Sequence, residues 1–370
     1  MKALYISLVD ITNNNIGVVK KIRSQVKGFR DSGIIFDIVF LKEGTIYIEE
    51  YEKNYKIAEN ISTIDFYSYI KDNIPLKSYS FIYMRLPYPG KALLNLWKVL
   101  KVSDNFIIEI PTYPFLNESK NLKSKILNYI LICQLYYFRE SINFYTYMGA
   151  KRNEIFKNKC LRVYNCVDSD SLNIKSSLNT KKDKRLNFIG VAQLATWHGY
   201  DRLIRSIYEY KKNKYEYHIK FYIIGNNLEG CNEKEYLQKL VRELDLIDDV
   251  IFVPAKDSHQ LNDYFNICDV AVDSLARHRS NNYYNCSLKS KEYCVRGVPF
   301  IKSHEDDSFN DCGFVYDCKP DESIIDLEGI IDWYLKLDDT ATSIRNYGVN
   351  VFSWKKQLVE KVEAAIKCQK

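Results

Sequence analysis

The sequence predicts an α/β protein of two domains, on three observations. Short runs of β-branched and aromatic residues recur between amphipathic stretches, which is typical of parallel strands that are buried on both faces and joined by helices. The series stops once, at a polar stretch, and then resumes. The chain has 370 residues, of which 46% are apolar and 27% charged, so it can bury two cores and is neither disordered nor fibrous.

The first series of strands defines an N-terminal domain over residues 1–170. After the first strand, Val18, Ile22 and Val26 are spaced as one face of a helix. A strand followed by a helix and a further strand is the repeating unit of a parallel sheet. The predicted strands are residues 3–9, 34–40, 81–84, 106–110, 143–147 and 161–164.

The second series defines a C-terminal domain over residues 186–352, after a polar stretch at 171–185 that we interpret as an interdomain linker. A last helix over residues 353–370, with Ser353 as its N-cap, follows no strand. It must pack on a domain that is already built, and its pattern fits either domain; we group it with the N-terminal one. The predicted strands are residues 186–191, 219–224, 250–253, 270–273 and 298–301.

The ten cysteines contain no CxxC pair, and the histidines are isolated, so the sequence predicts free thiols in a reducing compartment and no metal site. The first residues have no signal-peptide pattern. The longest uncharged apolar stretch, residues 126–138, is shorter than the roughly 20 residues that span a bilayer. We therefore expect a cytoplasmic protein without a transmembrane helix, a metal or a cofactor.

Ligands of such two-domain α/β proteins bind beside the carboxyl ends of the strands, where helix N-termini supply N–H groups. In the N-terminal domain, the polar turn at residues 12–17 ends in Gly17, where backbone can approach a ligand; a plain strand-to-helix turn is the competing interpretation. Neither GxGxxG nor GxxxxGK[ST] occurs, which argues against a dinucleotide or P-loop site. For three other polar residues near strand ends a turn or cap role is favoured over lining a cleft: Asp10, Glu109 and Asp168.

Two segments of the C-terminal domain place donors at helix starts. In residues 190–203, His198 and Arg202 suit an anionic oxygen. In residues 287–301, Ser287 is the predicted N-cap, and Lys289 adds charge to a helix start that can hold phosphate oxygens. Glu292, one turn further, can accept hydrogen bonds from two ribose hydroxyls. An ordinary surface ion pair between Lys289 and Glu292 is an equally compatible interpretation.

These segments, Trp-His-Gly-Tyr-Asp-Arg at 197–202 and Leu-Lys-x-x-Glu-Tyr at 288–293, resemble the GT-B glycosyltransferases of the retaining family four. The likeness is greatest to bacterial enzymes that build capsular and other surface polysaccharides, and it covers nearly the whole chain. The resemblance implies two Rossmann-like domains that face a cleft, the first for the acceptor and the second for the donor, with a C-terminal helix that crosses back.

The resemblance also implies the chemistry. A sugar moves from a nucleoside diphosphate sugar, UDP more often than GDP, to an oligosaccharide acceptor, in the bacterial case often lipid-linked, with retention at the anomeric carbon. No protein nucleophile or base is established for the family, so we assign no catalytic residue. The implied base-binding residues are Pro254 and Ala255, and the donor-binding residues are Gly17, Gln193, His198, Gly199, Arg202, Arg279, Ser287, Leu288, Lys289 and Glu292.

The chain departs from the family at the donor site. Gln193 and His198 stand where the family has Arg and Lys, and Tyr284 stands at the first Glu of its Glu-x7-Glu pattern. The identity of the sugar is therefore not implied, and Arg279, Lys289 and the helix N-termini must meet the phosphate charge. His198 can be neutral or charged at cytoplasmic pH.

Residues 120–159 contain eight Lys or Arg and two Asp or Glu, and this surplus of six equals the formal charge of +6 for the whole chain. The segment includes the apolar run 126–138. A basic amphipathic helix on the inner face of an anionic membrane and a buried core helix with solvated lysines fit this pattern equally. No nucleic-acid module is visible. Two competing functions remain: a nucleotide-sugar epimerase or hydrolase on the same fold, and a non-catalytic sugar-binding scaffold.

Overall fold

In a computed structural model, the chain forms two compact units: Met1–Cys166 with Ser353–Lys370, and Val167–Phe352. Each unit contains one sheet with helices packed on it. The structure describes residues 1–13, 17–87, 90–102, 105–115, 122–176, 178, 184–213 and 216–368.

The sheet of the first unit has the strand order β4-β3-β2-β1-β5-β6-β7-β9-β8. The strands from β2 to β9 in this order are parallel, and β3, β4 and β8 join antiparallel at the edges. The strands are β1 (Lys2–Ser7), β2 (Ile35–Lys42), β3 (Thr45–Glu50), β4 (Lys53–Ala58), β5 (Phe81–Arg85), β6 (Phe106–Tyr113), β7 (Phe144–Gly149), β8 (Glu154–Ile155) and β9 (Asn158–Arg162).

The described residues of this unit's first segment form four α-helices: α1 (Gly17–Asp31), α2 (Phe66–Asn73), α3 (Leu93–Leu100) and α4 (Leu122–Tyr137). Of the predicted apolar face of α1, Ile22 and Val26 are buried, and Val18 is half-buried; Val19 and Phe29 are buried beside them. The β3–β4 hairpin and the short strand β8 were not predicted. The observed β9 begins three residues before the predicted strand at 161–164.

The sheet of the second unit is parallel throughout, in the order β12-β11-β10-β13-β14-β15. Its strands are β10 (Arg185–Val191), β11 (His218–Ile224), β12 (Val250–Val253), β13 (Val270–Val272), β14 (Phe300–Lys302) and β15 (Val315–Asp317). Its helices are α5 (Tyr200–Lys212), α6 (Glu233–Glu243), α7 (Leu261–Ile267), α8 (Leu288–Val295), α9 (Leu327–Lys336) and α10 (Ala341–Val351). Of the strands, β15 was not predicted.

The strand order of the second unit reverses between β10 and β13, which are neighbours. At such a point the connections leave the two strands in opposite directions, and the loops at the carboxyl ends leave room for a ligand. The loops that start at Ala192 and Asp273 meet there.

The last segment returns to the first unit. A π-helical turn, Lys355–Val359, continues into α11 (Glu360–Lys367). Ser353 Oγ accepts from the backbone N–H of Lys356 at 3.3 Å, so Ser353 caps this helix as predicted. Trp354 packs against α1 at Gly28, where a Cβ would lie 2.9 Å from Trp354 Cβ.

The polar stretch predicted as a linker begins inside the second unit, since residues 167–176 belong to it. Lys175 is buried, and its Nζ donates to the carbonyls of Phe265, Asn266 and Cys268 at 3.0, 2.8 and 2.5 Å. The backbone N–H of Ser176 also donates to Asn266 Oδ1, at 3.1 Å, so hydrogen bonds anchor a stretch that its composition marks as exposed. Residues 177 and 179–183 of the predicted linker lie outside the described residues.

Candidate donor site in the second unit

The loop between β10 and α5 is shaped by two glycines. A Cβ on Gly190 would lie 2.7 Å from the ring of Tyr200, so glycine lets this tyrosine pack under the loop. Gly199 has a φ of +64°, and a Cβ there would lie 2.7 Å from Ala276 Cβ. The backbone N–H of Leu275 donates to the carbonyl of His198 at 2.8 Å. These contacts fix the loop after β10 against the loop after β13.

His198 is engaged at both ring nitrogens. Its Nε2 lies 3.0 Å from the carbonyl oxygen of Gln193, and its Nδ1 lies 3.0 Å from Lys289 Nζ and 3.2 Å from Ser274 Oγ. Because an ammonium only donates, Nδ1 must accept and Nε2 must carry the proton. Burial, and then the charge of Lys289, hold the pKa of His198 well below its usual value. The imidazole is therefore neutral, and it orients Lys289 instead of presenting a charge of its own.

Lys289 is held by a buried carboxylate. Its Nζ lies 3.0 Å from Asp273 Oδ1, and the lysine side chain is 19% exposed whereas that of Asp273 is fully buried. Burial lowers the pKa of Lys289, and Asp273 opposes that shift. Burial alone would raise the pKa of the Asp273 carboxyl, but Lys289, His304 and the hydrogen bond from Ser287 together outweigh burial, and the net pKa lies below the usual range. The two groups form an ion pair with the cation nearer to solvent.

Asp273 also fixes the start of α8. Ser287 is the N-cap of this helix, as predicted, and its Oγ accepts from the N–H of Lys289 at 3.2 Å and donates to Asp273 Oδ1 at 3.1 Å. On the other side, Nε2 of the buried His304 lies 3.6 Å from Asp273 Oδ2. Burial lowers the pKa of His304 to about 4. Asp273 thus joins β13, α8 and the segment after β14 around one anionic centre.

Glu292 does not pair with Lys289. Its Oε1 accepts from Arg296 Nε at 2.9 Å, and its side chain is 32% exposed. Arg296 is buried and also donates to Asn262 Oδ1 at 2.7 Å and to the carbonyl of Ser258 at 3.4 Å. Arg296 therefore ties the carboxylate of α8 to the segment that follows β12. The surface ion pair between Lys289 and Glu292 is not present.

Arg279 is not available to a phosphate in this structure, contrary to the prediction. Its guanidinium donates to both carboxylate oxygens of Asp201 at 2.9 and 2.8 Å and to both of Glu322 at 2.8 and 2.7 Å. A further bond of 3.0 Å goes to the carbonyl of Thr196. Those two carboxylates raise its pKa. Arg279 is a structural latch between the N-terminal turn of α5 and the segment after β15.

Arg202 also differs from its predicted role. It is buried, and it donates to the carbonyl oxygens of Leu275, Lys319 and Ser323, the last two at 3.2 and 3.0 Å. Its ion-pair partner, Asp321, lies 3.8 Å away, and the carbonyl acceptors satisfy the remaining donors of the buried guanidinium. Arg202 therefore holds two loops in place and does not point donors at a ligand.

The remaining residues predicted to bind the donor or its base lie in the second unit, except for Gly17. Gln193, Pro254 and Ala255 are exposed in the loops that follow β10 and β12, and Leu288 is half-buried in the first turn of α8. Gly17 is the exposed first residue of α1 in the first unit, and residues 14–16 of its turn lie outside the described residues.

Tyr284, at the position where the family has Glu, forms a parallel bridge with Glu305, and its hydroxyl donates to Asp307 Oδ1 at 2.8 Å. Asp10 and Asp168 have the predicted turn and cap roles, since each accepts from the backbone N–H two residues ahead.

Glu109 is neither a cap nor a surface residue. It is fully buried within β6 of the first unit, 2.9 Å from Lys21 Nζ and 3.6 Å from an Arg85 nitrogen, and it accepts from the hydroxyl of Tyr83 at 2.9 Å. Burial would raise the pKa of its carboxyl, but the two cations and a hydrogen bond from Gln25 together outweigh burial, and the net pKa is lowered. Glu109 is an internal anion of the first unit's core.

Sequence reasoning missed Asp273, Ser274, Arg296 and His304. The spacing of Glu292 and Arg296, four residues apart on a helix, was a usable signal. The other three come from loops that are distant in sequence and meet only because β13 lies between β10 and β14. Among the described residues, no cluster of His, Cys, Asp and Glu could hold a metal ion.

The arrangement can bind an anion that also carries a diol. The N-terminal N–H groups of α8, the ammonium of Lys289 and the positive end of the helix dipole lie together. One turn along the same helix, Glu292 presents a half-exposed carboxylate. A phosphate ester of a ribose has this pattern of charge and hydroxyls.

Comparison with known proteins agrees with this chemistry. Residues 172–277 match the family described as Glycosyl transferases group 1, a stretch that includes His198 and Asp273. No curated protein matches the chain. The predicted enzyme class, a glycosyltransferase, is confirmed by this segment.

Solved structures match over the full length. Sucrose-phosphate synthase from Thermosynechococcus elongatus has a TM-score of 0.70 at 10% identity, covering 100% of this chain and 99% of that one. A glycosyltransferase from Rickettsia africae has a TM-score of 0.66 at 13% identity, covering 100% and 98%. Anabaena HepE in complex with UDP has a TM-score of 0.62 at 12% identity, covering 98% and 100%. The predicted GT-B fold is confirmed.

Proposed function

We propose that this glycosyltransferase moves a sugar from a nucleoside diphosphate sugar to an oligosaccharide acceptor, with retention at the anomeric carbon. The observation that carries the proposal is the start of α8, where Lys289 is held by Asp273 and by the neutral His198 within hydrogen-bonding distance of both. This cation stands at the carboxyl edge of the sheet, where β10 and β13 leave room for a ligand.

In this proposal the diphosphate of the donor binds at the N-terminus of α8. Backbone N–H groups there have no intrahelical acceptor, and Lys289 adds a full positive charge. Because Gln193 and His198 stand where the resembling family has Arg and Lys, Lys289 is the main cation for the phosphates. Arg279 and Arg202 serve the architecture of the loops around it.

The nucleoside lies further along α8 and over the loop after β12. Glu292 accepts from the two ribose hydroxyls through its exposed carboxylate, and Arg296 keeps that carboxylate in position. Pro254 and Ala255 border the base. HepE has been solved with UDP and with UDP-glucose, and starch synthase IV from Arabidopsis thaliana with ADP and acarbose. UDP is therefore our first choice of nucleotide.

The transfer needs charge stabilisation on the leaving group more than a protein nucleophile. The bond between the anomeric carbon and the diphosphate oxygen breaks, and the acceptor hydroxyl forms the new bond on the same face. Negative charge grows on the leaving phosphate, next to Lys289 and the helix N-terminus, which stabilise it. A phosphate oxygen of the leaving group takes the hydroxyl proton.

The acceptor, its setting and its pathway belong to the same proposal. Resemblance to bacterial enzymes of surface polysaccharide synthesis, such as capsule synthesis, favours a lipid-linked oligosaccharide acceptor. A cytoplasmic site of action at the inner membrane face suits such an acceptor. The first unit is proposed as the acceptor domain and the second as the donor domain.

The test is calorimetric binding of UDP, GDP and ADP to the native chain and to Glu292→Ala. We expect one nucleotide to bind and the variant to lose at least tenfold in affinity, about 1.4 kcal/mol. The matched control is Glu243→Ala, which removes an exposed glutamate from an ordinary ion pair with Lys239 on α6. It should bind the nucleotide as the native chain does.

Each other result has a definite meaning. Binding of no nucleotide would contradict the donor site. Release of free sugar, or interconversion of the donor, without an acceptor would support a hydrolase or an epimerase instead. Nucleotide binding without turnover across a panel of acceptors would support the non-catalytic scaffold.

A further inference from the structure

Helix α4 packs on the first unit by one narrow side. Leu131 and Leu135 are buried in the core of that unit, and Asn128 is buried beside them. These three positions are spaced by three and four residues, so they form one line along the helix. The opposite side of α4 is left to solvent although it is apolar.

The exposed side is a continuous apolar stripe, which we call the α4 stripe. Its members recur every three or four residues over the whole helix, which is about 24 Å long. They lie within one third of the helix circumference, opposite the buried line. They remain exposed in the complete chain, from 39% for Ile130 to 76% for Tyr137. The α4 stripe consists of Leu122, Ile126, Tyr129, Ile130, Cys133, Tyr136 and Tyr137.

Positive charge borders the α4 stripe. Lys123 and Lys125 are exposed and lie on either side of it near its start. At its end, the Arg139 guanidinium and Lys157 Nζ lie 5.2 and 5.7 Å from the centre of the Tyr136 ring. Helix α4 contains no Asp or Glu. The basic segment predicted from the sequence is therefore not a core helix with solvated lysines, because its apolar residues are mostly outside.

We infer that the α4 stripe binds in the plane of an anionic lipid surface. Apolar side chains enter the acyl region, tyrosines lie at the headgroup level, and the bordering lysines reach anionic headgroups. None of the described helices is both long and apolar enough to cross a bilayer, so α4 would lie on the surface and not span it. The stripe shares no residue with the donor site and does not depend on that assignment.

A second copy of this chain is a poorer occupant. A two-fold interface brings the same face of each copy together. Lys123 and Lys125 of one copy would then face the same lysines or Arg139 and Lys157 of the other, without a carboxylate on α4 to compensate them. An anionic lipid surface both removes the apolar stripe from water and supplies negative charge to the cations. Self-association only removes the stripe from water.

The test is flotation of the full chain with vesicles of phosphatidylcholine alone and with vesicles that also contain phosphatidylglycerol. We expect binding to the anionic vesicles, weakened by salt. The variant Lys123→Gln with Lys125→Gln should bind roughly thirtyfold more weakly, from the usual contribution of two basic residues near an anionic surface. The variant Ile126→Ser with Ile130→Ser should lose at least about a hundredfold, because two apolar side chains no longer leave water.

The matched control is Ile247→Ser, which removes an isolated isoleucine that is 63% exposed in the second unit. It should float as the native chain does, and calorimetric nucleotide binding should be unchanged in every variant that has folded. Absence of binding to anionic vesicles would overturn the inference. So would equal binding by the Ile126→Ser, Ile130→Ser variant, or native self-association that this variant abolishes without any vesicle binding.

Discussion

Lys289 pairs with the buried Asp273 and is proposed to bind phosphate, and a pair of substitutions separates these two roles. In Lys289→Met, the fully buried Asp273 loses its cation, so we expect a loss of about 3–5 kcal/mol in unfolding free energy. Adding Asp273→Asn should recover most of that stability. The amide can still accept from Ser287 and Ser274, and its nitrogen can donate toward His304.

Nucleotide affinity should not follow stability in these variants. Both the single and the double variant lack the ammonium, so each should bind UDP at least about tenfold more weakly. Urea unfolding measures the stability of each variant, and calorimetry measures its affinity for UDP. A double variant that regains both the stability and the UDP affinity of the native chain would show that Lys289 only balances the charge of Asp273 and does not contact phosphate.

The buried histidines predict a loss of stability on mild acidification. Burial lowers the pKa of His304 to about 4 and lowers that of His198 as well. Below the unfolded value of about 6.5, the unfolded chain binds protons that the folded chain does not, so unfolding free energy falls as pH falls. For His304 the loss is on the order of 3 kcal/mol by pH 4.

Urea unfolding of the native chain and of His304→Asn checks this prediction. The measurements run from neutral pH to about pH 4.5, a range in which histidine titrates. The variant keeps a donor for the carbonyl of Ser274, which His304 Nδ1 contacts at 3.3 Å. Its stability should fall less steeply with pH. Identical slopes for both proteins would mean that His304 does not carry the effect.

The sequence predicted the helix of the candidate site better than the network of side chains around that helix. The N-cap Ser287 follows from local backbone chemistry, so a single sequence predicts it. Asp273 had no local signal, because its partners come from α8 and the segment after β14. The partners of Arg279 had no local signal for the same reason, since its two carboxylates are 78 and 43 residues away.

At the level of elements, the Arg279 latch joins the start of α5 to the segment after β15. In Arg279→Gln the carboxylate of Asp201, whose side chain is 8% exposed, loses its bidentate partner. We expect unfolding free energy to fall by about 1–3 kcal/mol. UDP affinity should stay within about threefold, because the guanidinium contacts protein groups. A tenfold loss measured by calorimetry would mean that Arg279 leaves the latch to bind phosphate.

Core strands were predicted well and edge strands were not. Strands β10 to β14 are mainly apolar, and every residue of β13 and β14 is buried, as expected for a parallel sheet with both faces covered. The β4 strand has exposed residues along most of its length, and β15 has no buried residue, so neither gives a buried apolar run. For α1, most of the apolar face that the sequence predicts is buried. For α4, the same apolar residues fit a buried and an exposed face, and only packing decided between them.

For the whole molecule, the chain leaves the first unit at Cys166 and returns to it at Ser353. The returning segment is held by Trp354, which is buried against Gly28 of α1 and lies over Lys21 Nζ at 5.8 Å. In Trp354→Ala we expect a cost of about 3–5 kcal/mol at this contact, because a large buried side chain is removed.

That cost should appear locally, as faster amide hydrogen exchange in α1 and α11, while strands β10 to β14 keep their protection. The matched control is Trp333→Ala on α9, which loses its bond from Nε1 to the carbonyl of Gly313, 2.7 Å long, in the second unit. Its exchange should rise around α9 and not in α1. If α1 stays protected in Trp354→Ala, the returning segment is not held by this tryptophan, and the contacts of α11 alone must keep it on the first unit.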